Sequence, residues 1–246
     1  GREHRGRRLV DVGRWRPSLL RAADDARRVG GSLFKWTVLG VSIGVIAGLA
    51  VALFLATLTW ATETRLDHPW LLYLPPVAGL VVALVYHPFG GDAAGGNNLI
   101  IDEIHQPRAW IPRRMAPLIY VATIVTQLFG GSAGREGTTI QMSGSLGDLF
   151  ARIIHLGPRD RRILLIASIA GGFGAAFGVP FAGCVFALEV QSIGELRHEA
   201  IVPALAASIV GDLVVRNLGI DHVHLVEIDH VDLTVVLALK VALFGV

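Results

Sequence analysis

Two stretches of 26 residues, 36–61 and 163–188, contain no Asp, Glu, Lys or Arg. As helices, both are long enough to cross a hydrocarbon core of about 30 Å with room for tilt. Core helices of soluble proteins rarely run so far without a charge. Apolar residues make up 52% of the chain and charged residues only 17%, so the expected fold class is an all-α integral membrane protein. Cys184 is the single cysteine; it excludes an intrachain disulfide and lies within an apolar run, where packing is its expected role.

Charge orients the chain. Residues 1–35 carry ten Lys+Arg against four Asp+Glu, which places the N-terminus in the cytoplasm by the positive-inside rule. The following apolar run is too long for a secretory signal and lacks a small-residue cleavage site. Val12, Trp15, Leu19, Ala22 and Ala26 step by three and four onto one helical face. That pattern predicts an amphipathic helix on the inner membrane surface over residues 1–32, contacting lipid rather than nucleic acid, with a helix that binds a soluble partner as the weaker alternative.

Taken in order, residues 33–62 predict the first membrane helix, with Gly40, Gly44 and Gly48 on one face for close approach by a second helix. A return helix over 70–86 contains Pro75 and Pro76. Six Gly or Ala residues among 90–96 precede Asn97 and Asn98, a loop entering a short helix over 99–105 with Asn as its cap. Such a piece is either a re-entrant half-helix surrounded by protein or an aqueous cavity, or an ordinary cytoplasmic loop. Asp102 and Glu103 are expected to face cytoplasmic water and pair with Arg108, Arg113 or Arg114.

Residues 115–129 then cross outward to a break reading Gly134-Arg135-Glu136-Gly137. Ionisable residues at membrane depth are costly and mark ion paths or proton relays. A helix restarting at Thr138 would aim its free N–H groups and positive dipole end at the break. The residues predict an anion site with a carboxylate beside it, whereas Gln141 and Met142, a turn further on, read as packing. The positive cluster Arg152, His155, Arg159, Arg161 and Arg162 returns the chain to the cytoplasm.

The run 163–188 is interrupted by Gly171, Gly172, Gly174, Gly178 and Pro180, which predicts two helices joined at Gly178-Val179-Pro180. No strand precedes these glycines, so a dinucleotide fingerprint is rejected. A further helix covers 200–215. The loop 217–230 has no Lys or Arg, as suits the outer face. Its Asp221, His222, His224, Glu227, Asp229 and His230 show no diagnostic ligand spacing, so it reads as a solvated loop rather than a metal site. A new apolar helix starts at Val231. With no initiator Met and this abrupt stop, the chain reads as a fragment.

Gly96-Asn97-Asn98-Leu99, Gly134-Arg135-Glu136-Gly137 and Phe177-Gly178-Val179-Pro180-Phe181-Ala182-Gly183 together resemble the CLC family of anion channels and proton-coupled anion transporters. The resemblance covers nearly the whole chain from about Leu33. It implies an inverted-repeat fold with broken helices, residues 33–230 forming the first repeat and 231–246 the truncated start of the second. It also implies a homodimer, with helix N-termini converging on a midplane anion site. Chloride-handling members usually carry Pro at the position of Thr138, Ser at that of Asn97, and an internal glutamate at that of Val190. These departures are similar to the fluoride-exporting branch, CLC-F, understood as bacterial fluoride/proton antiporters of the inner membrane.

By that resemblance Glu136 is the gating and proton-coupling residue. Asn97, Asn98, Gly134, Arg135, Gly137 and Thr138 form the anion site, with Arg135 bracing the loop rather than binding directly. Phe177, Gly178, Val179 and Pro180 line the later break. Ionised Glu136 competes with the anion for backbone donors, and protonated Glu136 yields its place. Fluoride, with chloride as the lesser candidate, and H⁺ are the expected partners; no cofactor or metal is implied. The alternative is a chloride channel or chloride/proton exchanger on the same scaffold. An enzyme is disfavoured, because no nucleophile–base or metal-ligand spacing stands out. Without a second half, the chain alone is expected not to transport.

Overall fold

The structure, a computed structural model, describes residues 16–190 and 198–220, with residues 234, 237, 240 and 242 in isolation; side chains of residues 16–26 and 28 lie outside the description. The predicted amphipathic face Val12 to Ala26, the acidic-and-histidine loop after Ile220 and the helix predicted from Val231 therefore fall largely or wholly outside the described residues. Every regular element among the described residues is helical.

Helix α1 is Arg16–Asp67. The surface helix and membrane helix expected as separate pieces are thus one continuous helix, which runs through Gly30 and Gly31 without a break. At 1.5 Å per residue its 52 residues extend to about 80 Å. A short 3₁₀ turn, Pro69–Tyr73, leads to α2, Pro75–Phe89. Pro75 and Pro76 do not lie in the interior of the return helix, where a helix over 70–86 would put them. They open it, behind Leu74 at the N-cap, where a missing N–H costs nothing. Pro88 is the proline inside α2.

A second 3₁₀ turn, Gly91–Gly95, enters α3, Gly96–His105. The alternative of a plain loop is excluded here: α3 is a ten-residue helix whose Ile100 and Ile104 are buried in the main core. Its length of about 15 Å is half a hydrocarbon core. No asparagine caps it; Gly95 is the N-cap, and Asn97 lies inside the first turn. Then follow α4, Met115–Leu128, and α5, Arg135–Ile153. After these come α6, Pro158–Phe177, and α7, Pro180–Glu189. Helix α8 is Ile201–Asn217.

The α6–α7 joint falls where glycine and proline predicted it. Gly178 adopts φ 68°, ψ 24°, a left-handed conformation that stops a helix at little cost only for Gly, and Pro180 begins α7. Arg216 Nη2 donates to the Gly178 carbonyl at 3.1 Å and holds the turn against α8.

Helix α6 is the centre of the bundle. Leu164, Leu165, Ile166, Ala167, Ile169 and Ala170 are fully buried, and α1, α5, α7 and α8 pack around it. A helix apolar on all sides belongs in such a place. The α1 glycine stripe packs on α8. A Cβ at Gly40, Gly44 or Gly48 would stand 2.6, 2.7 or 2.9 Å from the carbonyl oxygens of Pro203, Ala207 and Gly211. Only hydrogen fits at those three positions, so the two backbones touch, as small residues at four-residue spacing allow. Among the described residues two helices, Val29–Asp67 within α1 and His198–Asn217, are long and apolar enough to cross a membrane.

Candidate functional site

Two helices begin beside each other. Helix α5 starts at Arg135, three residues before the expected restart at Thr138, because Gly134 takes the extended conformation of an N-cap (φ −69°, ψ 135°). Arg135, Glu136 and Gly137 therefore form its first turn. Neither α3 nor α5 receives a side-chain cap; the first-turn N–H groups of Arg135, Glu136 and Gly137 have no acceptor within α5, while at the α3 start the Gly96 N–H donates to the Ala93 carbonyl. Each helix start carries roughly half a positive charge.

These two starts converge. A Cβ placed on Gly137 would lie 3.4 Å from Asn97 Nδ2, 4.0 Å from Asn97 Oδ1 and 4.0 Å from Gln141 Nε2. One placed on Gly96, which has φ +60°, would lie 3.6 Å from the same Gln141 nitrogen. Two primary amides thus face two glycine backbones. Asn97 Oδ1 is buried without a hydrogen-bond partner. Buried polar atoms are almost always paired, so an unpaired one asks for a ligand or water. Gln141, read from the sequence as packing, belongs to this place; only the meeting of α3 with α5 reveals it.

Glu136 is exposed and joins no ion pair among the described residues. One of its carboxylate oxygens lies 2.9 Å from where a Cβ on Gly134 would stand, so the side chain curls back over the start of its own helix. Arg135 is half-buried and does not pair with Glu136. Asn98 and Gly134 are exposed at the two helix starts. The Thr138 side chain braces the helix start, with its hydroxyl 2.8 Å from that of Thr123 on α4 and donating to the Gly134 carbonyl at 3.1 Å. Gln127 steadies the preceding loop through Nε2 to the Ala133 carbonyl, at 2.9 Å. Phe177, Gly178, Val179 and Pro180 form the α6–α7 joint. Phe177 lies tilted against Phe173, with ring centroids 4.5 Å apart, and packs against a cluster containing Met142 of α5.

The far end of α3 departs from expectation. Asp102 is exposed, but Glu103 is buried and its carboxylate pairs with Arg161 Nη1 at 2.9 Å rather than with any nearby arginine side chain. Arg161 Nε binds Asp148 of α5 at 2.5 Å, and Nη2 donates to the Ala109 carbonyl at 2.7 Å. Backbone N–H groups of Arg108 and Ala109 donate to Glu103, and that of Ile111 donates to Asp148.

An opening of about 430 Å³ lined by Leu99, Asp102, Glu103, His105, Gln106 and Arg108 lies at this end.

Residues 78–246 match the model of the voltage gated chloride channel family. The chain belongs to this family. A chloride/fluoride channel protein of Pseudomonas syringae pv. tomato is 46% identical over 210 residues, covering 85% of this chain and 46% of that protein. An H⁺/Cl⁻ exchange transporter of Vibrio cholerae is 31% identical over 202 residues, covering 72% of this chain and 42% of the relative. Among solved structures, a CLC-type fluoride/proton antiporter superposes with a TM-score of 0.74 at 32% identity, over 87% of this chain and 54% of that one. A slow cyanobacterial Cl⁻/H⁺ antiporter shares the fold at a TM-score of 0.64 and 23% identity, over 80% of this chain and 50% of that one. The chain spans about half the length of these relatives. The all-helical CLC fold and the resemblance read from the three motifs are both borne out, and the family is one of membrane transport proteins.

Proposed function

We propose that the protein exports fluoride in exchange for protons, with the anion held between the starts of α3 and α5. The observation that carries this reading is the convergence of two uncapped helix starts on a buried, unpaired Asn97 amide oxygen. Helix starts are anion sites by geometry and by dipole. Fluoride is small and strongly hydrated, so its site must replace water with many donors. The N–H groups of Arg135, Glu136 and Gly137 supply some of them. The Asn97 and Gln141 amides supply others, and Asn97 Oδ1 accepts from a water of the anion's shell. Asn98 and Gly134 border the position, Arg135 braces the loop, and Thr138 fixes the helix start through Thr123.

Glu136 is the coupling group. Ionised, its carboxylate sits over the α5 start and competes with the anion for the same donors. Protonated, it loses that attraction, leaves, and carries its proton the other way. An unpaired, exposed carboxylate suits this exchange, because a fixed ion pair with Arg135 would hold it in place. The joint at Phe177, Gly178, Val179 and Pro180 supports the wall behind α5 through the Met142 cluster. A homodimer in a bacterial inner membrane with a cytoplasmic N-terminus completes the proposal.

A second reading, a passive channel, is favoured by one observation: the 46% identical relative bears the name chloride/fluoride channel protein. The two readings separate in liposomes that contain the full-length protein carrying this chain. Fluoride and chloride efflux are recorded with ion-selective electrodes. Fluoride leaving faster than chloride, with proton counter-movement, supports the exchanger. Chloride flux equal to or faster than fluoride flux, without proton movement, assigns the protein to the channels and refutes the fluoride reading.

A further inference from the structure

We infer that Arg161 is a positioning residue that sets the separation of α3 and α5, and through it the distance of Asn97 from the α5 start. This rests on the anion position proposed above. One guanidinium holds both helices at their far ends: α3 through Glu103 at 2.9 Å and α5 through Asp148 at 2.5 Å. Its remaining fork nitrogen takes the Ala109 carbonyl at 2.7 Å, which ties the α3–α4 loop into the same knot. Side-chain exposures of 6% for Arg161, 6% for Glu103 and 0% for Asp148 place the whole arrangement out of water.

The carboxylates are satisfied as well. Glu103 accepts from the N–H groups of Arg108 and Ala109 at 3.1 and 3.0 Å, and Asp148 from Ile111 at 2.7 Å. Trp110 covers the guanidinium, 4.7 Å from its ring centroid. A fully satisfied buried network specifies one arrangement of its parts. Lysine cannot replace the fork, since an ammonium is a point charge without the planar set of donors.

The connection to the site is mechanical. Asn97 and Glu103 stand six residues apart on one helix, about 9 Å along its axis. Helix α3 is short and its Ile100 and Ile104 are buried, so it moves as a rod. A shift of Glu103 is carried to Asn97, and errors of about 1 Å in a binding geometry can cost up to about a hundredfold. Arg161 touches no part of the anion position itself.

The test uses the full-length protein with Arg161→Lys, and with Trp110→Ala as a milder variant that uncovers the guanidinium while keeping every charge. Hydrogen exchange of α3 amides reads the knot without reference to transport. Fluoride flux in liposomes, in the native and the Asn97→Ala backgrounds, reads its effect on the site. Arg161→Lys is expected to speed α3 exchange while α1 and α8 amides stay protected. It should raise half-saturating fluoride about tenfold with Asn97 present and have little effect once Asn97 is Ala; Trp110→Ala shifts both readouts the same way by less.

Unchanged α3 exchange in both variants overturns the knot. Faster exchange with unchanged half-saturation, or an equal loss in both backgrounds, overturns the positioning role. If the native protein moves no fluoride, the functional reading fails while the exchange data still decide the knot.

Discussion

Replacing Gly137 by Ala separates the proposed anion position from the stability of the fold. The added methyl would stand 3.4 Å from Asn97 Nδ2 and 4.0 Å from Asn97 Oδ1 and Gln141 Nε2, which is ordinary van der Waals spacing. Nothing in the bundle has to move. Within a helix, Ala is favoured over Gly by up to about 1 kcal/mol, so the melting temperature should hold or rise slightly. The methyl nevertheless fills the space that the two helix starts share. Losing one hydrogen bond to a charged partner costs about 1.5–3 kcal/mol. At 1.4 kcal/mol per tenfold, half-saturating fluoride should rise roughly 10- to 150-fold.

Gly44→Ala is the opposite control. Its Cβ would lie 2.7 Å from the Ala207 carbonyl oxygen and 2.9 Å from Ala207 Cα. Both are backbone atoms, so α1 and α8 must part, at a cost of about 1–3 kcal/mol. This variant should melt earlier, while the protein that remains folded keeps the native half-saturation. Thermal melting in detergent and fluoride efflux from liposomes measure the two quantities. A Gly137→Ala protein that transports with native half-saturation would refute the placement of the anion between α3 and α5.

Two further changes test neighbouring parts of the account. Gln141→Leu keeps the volume of the side chain and removes its donor, so half-saturating fluoride should rise about tenfold, on the scale of one lost hydrogen bond, with no drop in melting temperature; a lower melting temperature with native transport would make Gln141 a packing residue. Asp148→Asn removes the charge of one partner of a buried guanidinium and should destabilise the fold by about 3–5 kcal/mol, seen as early melting and poor recovery from the membrane; native stability would show that Glu103 and the Ala109 carbonyl suffice to hold Arg161.

What the sequence discloses depends on how far apart the interacting groups lie. The α1 stripe Gly40, Gly44 and Gly48 and the Gly178–Pro180 joint are legible, because helical period and left-handed glycine are local properties. Helix starts are less so. Arg135 and Glu136 are compatible with both loop and helix, and Gly134 moves the start of α5 three residues earlier by serving as its N-cap. Pro75 and Pro76 read as interior to a helix over 70–86 until Leu74 is seen to be the N-cap of α2 ahead of them. Charge pairing fails over distance: Glu103 has three arginines close by in sequence, yet the structure gives its ion pair to Arg161, 58 positions away. Gln141 is silent for the same reason, since only α3 packing against α5 gives it Asn97 and Gly96 as neighbours.

The central claim is that Glu136 couples proton movement to anion movement. Liposomes holding the full-length protein are loaded with fluoride and a trapped pH indicator, and fluoride efflux and internal pH are recorded together. The native protein should drive protons inward against their gradient as fluoride leaves. Glu136→Gln keeps the shape of the side chain but cannot carry the proton, so any remaining fluoride flux should leave internal pH unmoved. Proton uptake that persists in Glu136→Gln at the native ratio to fluoride would contradict the account.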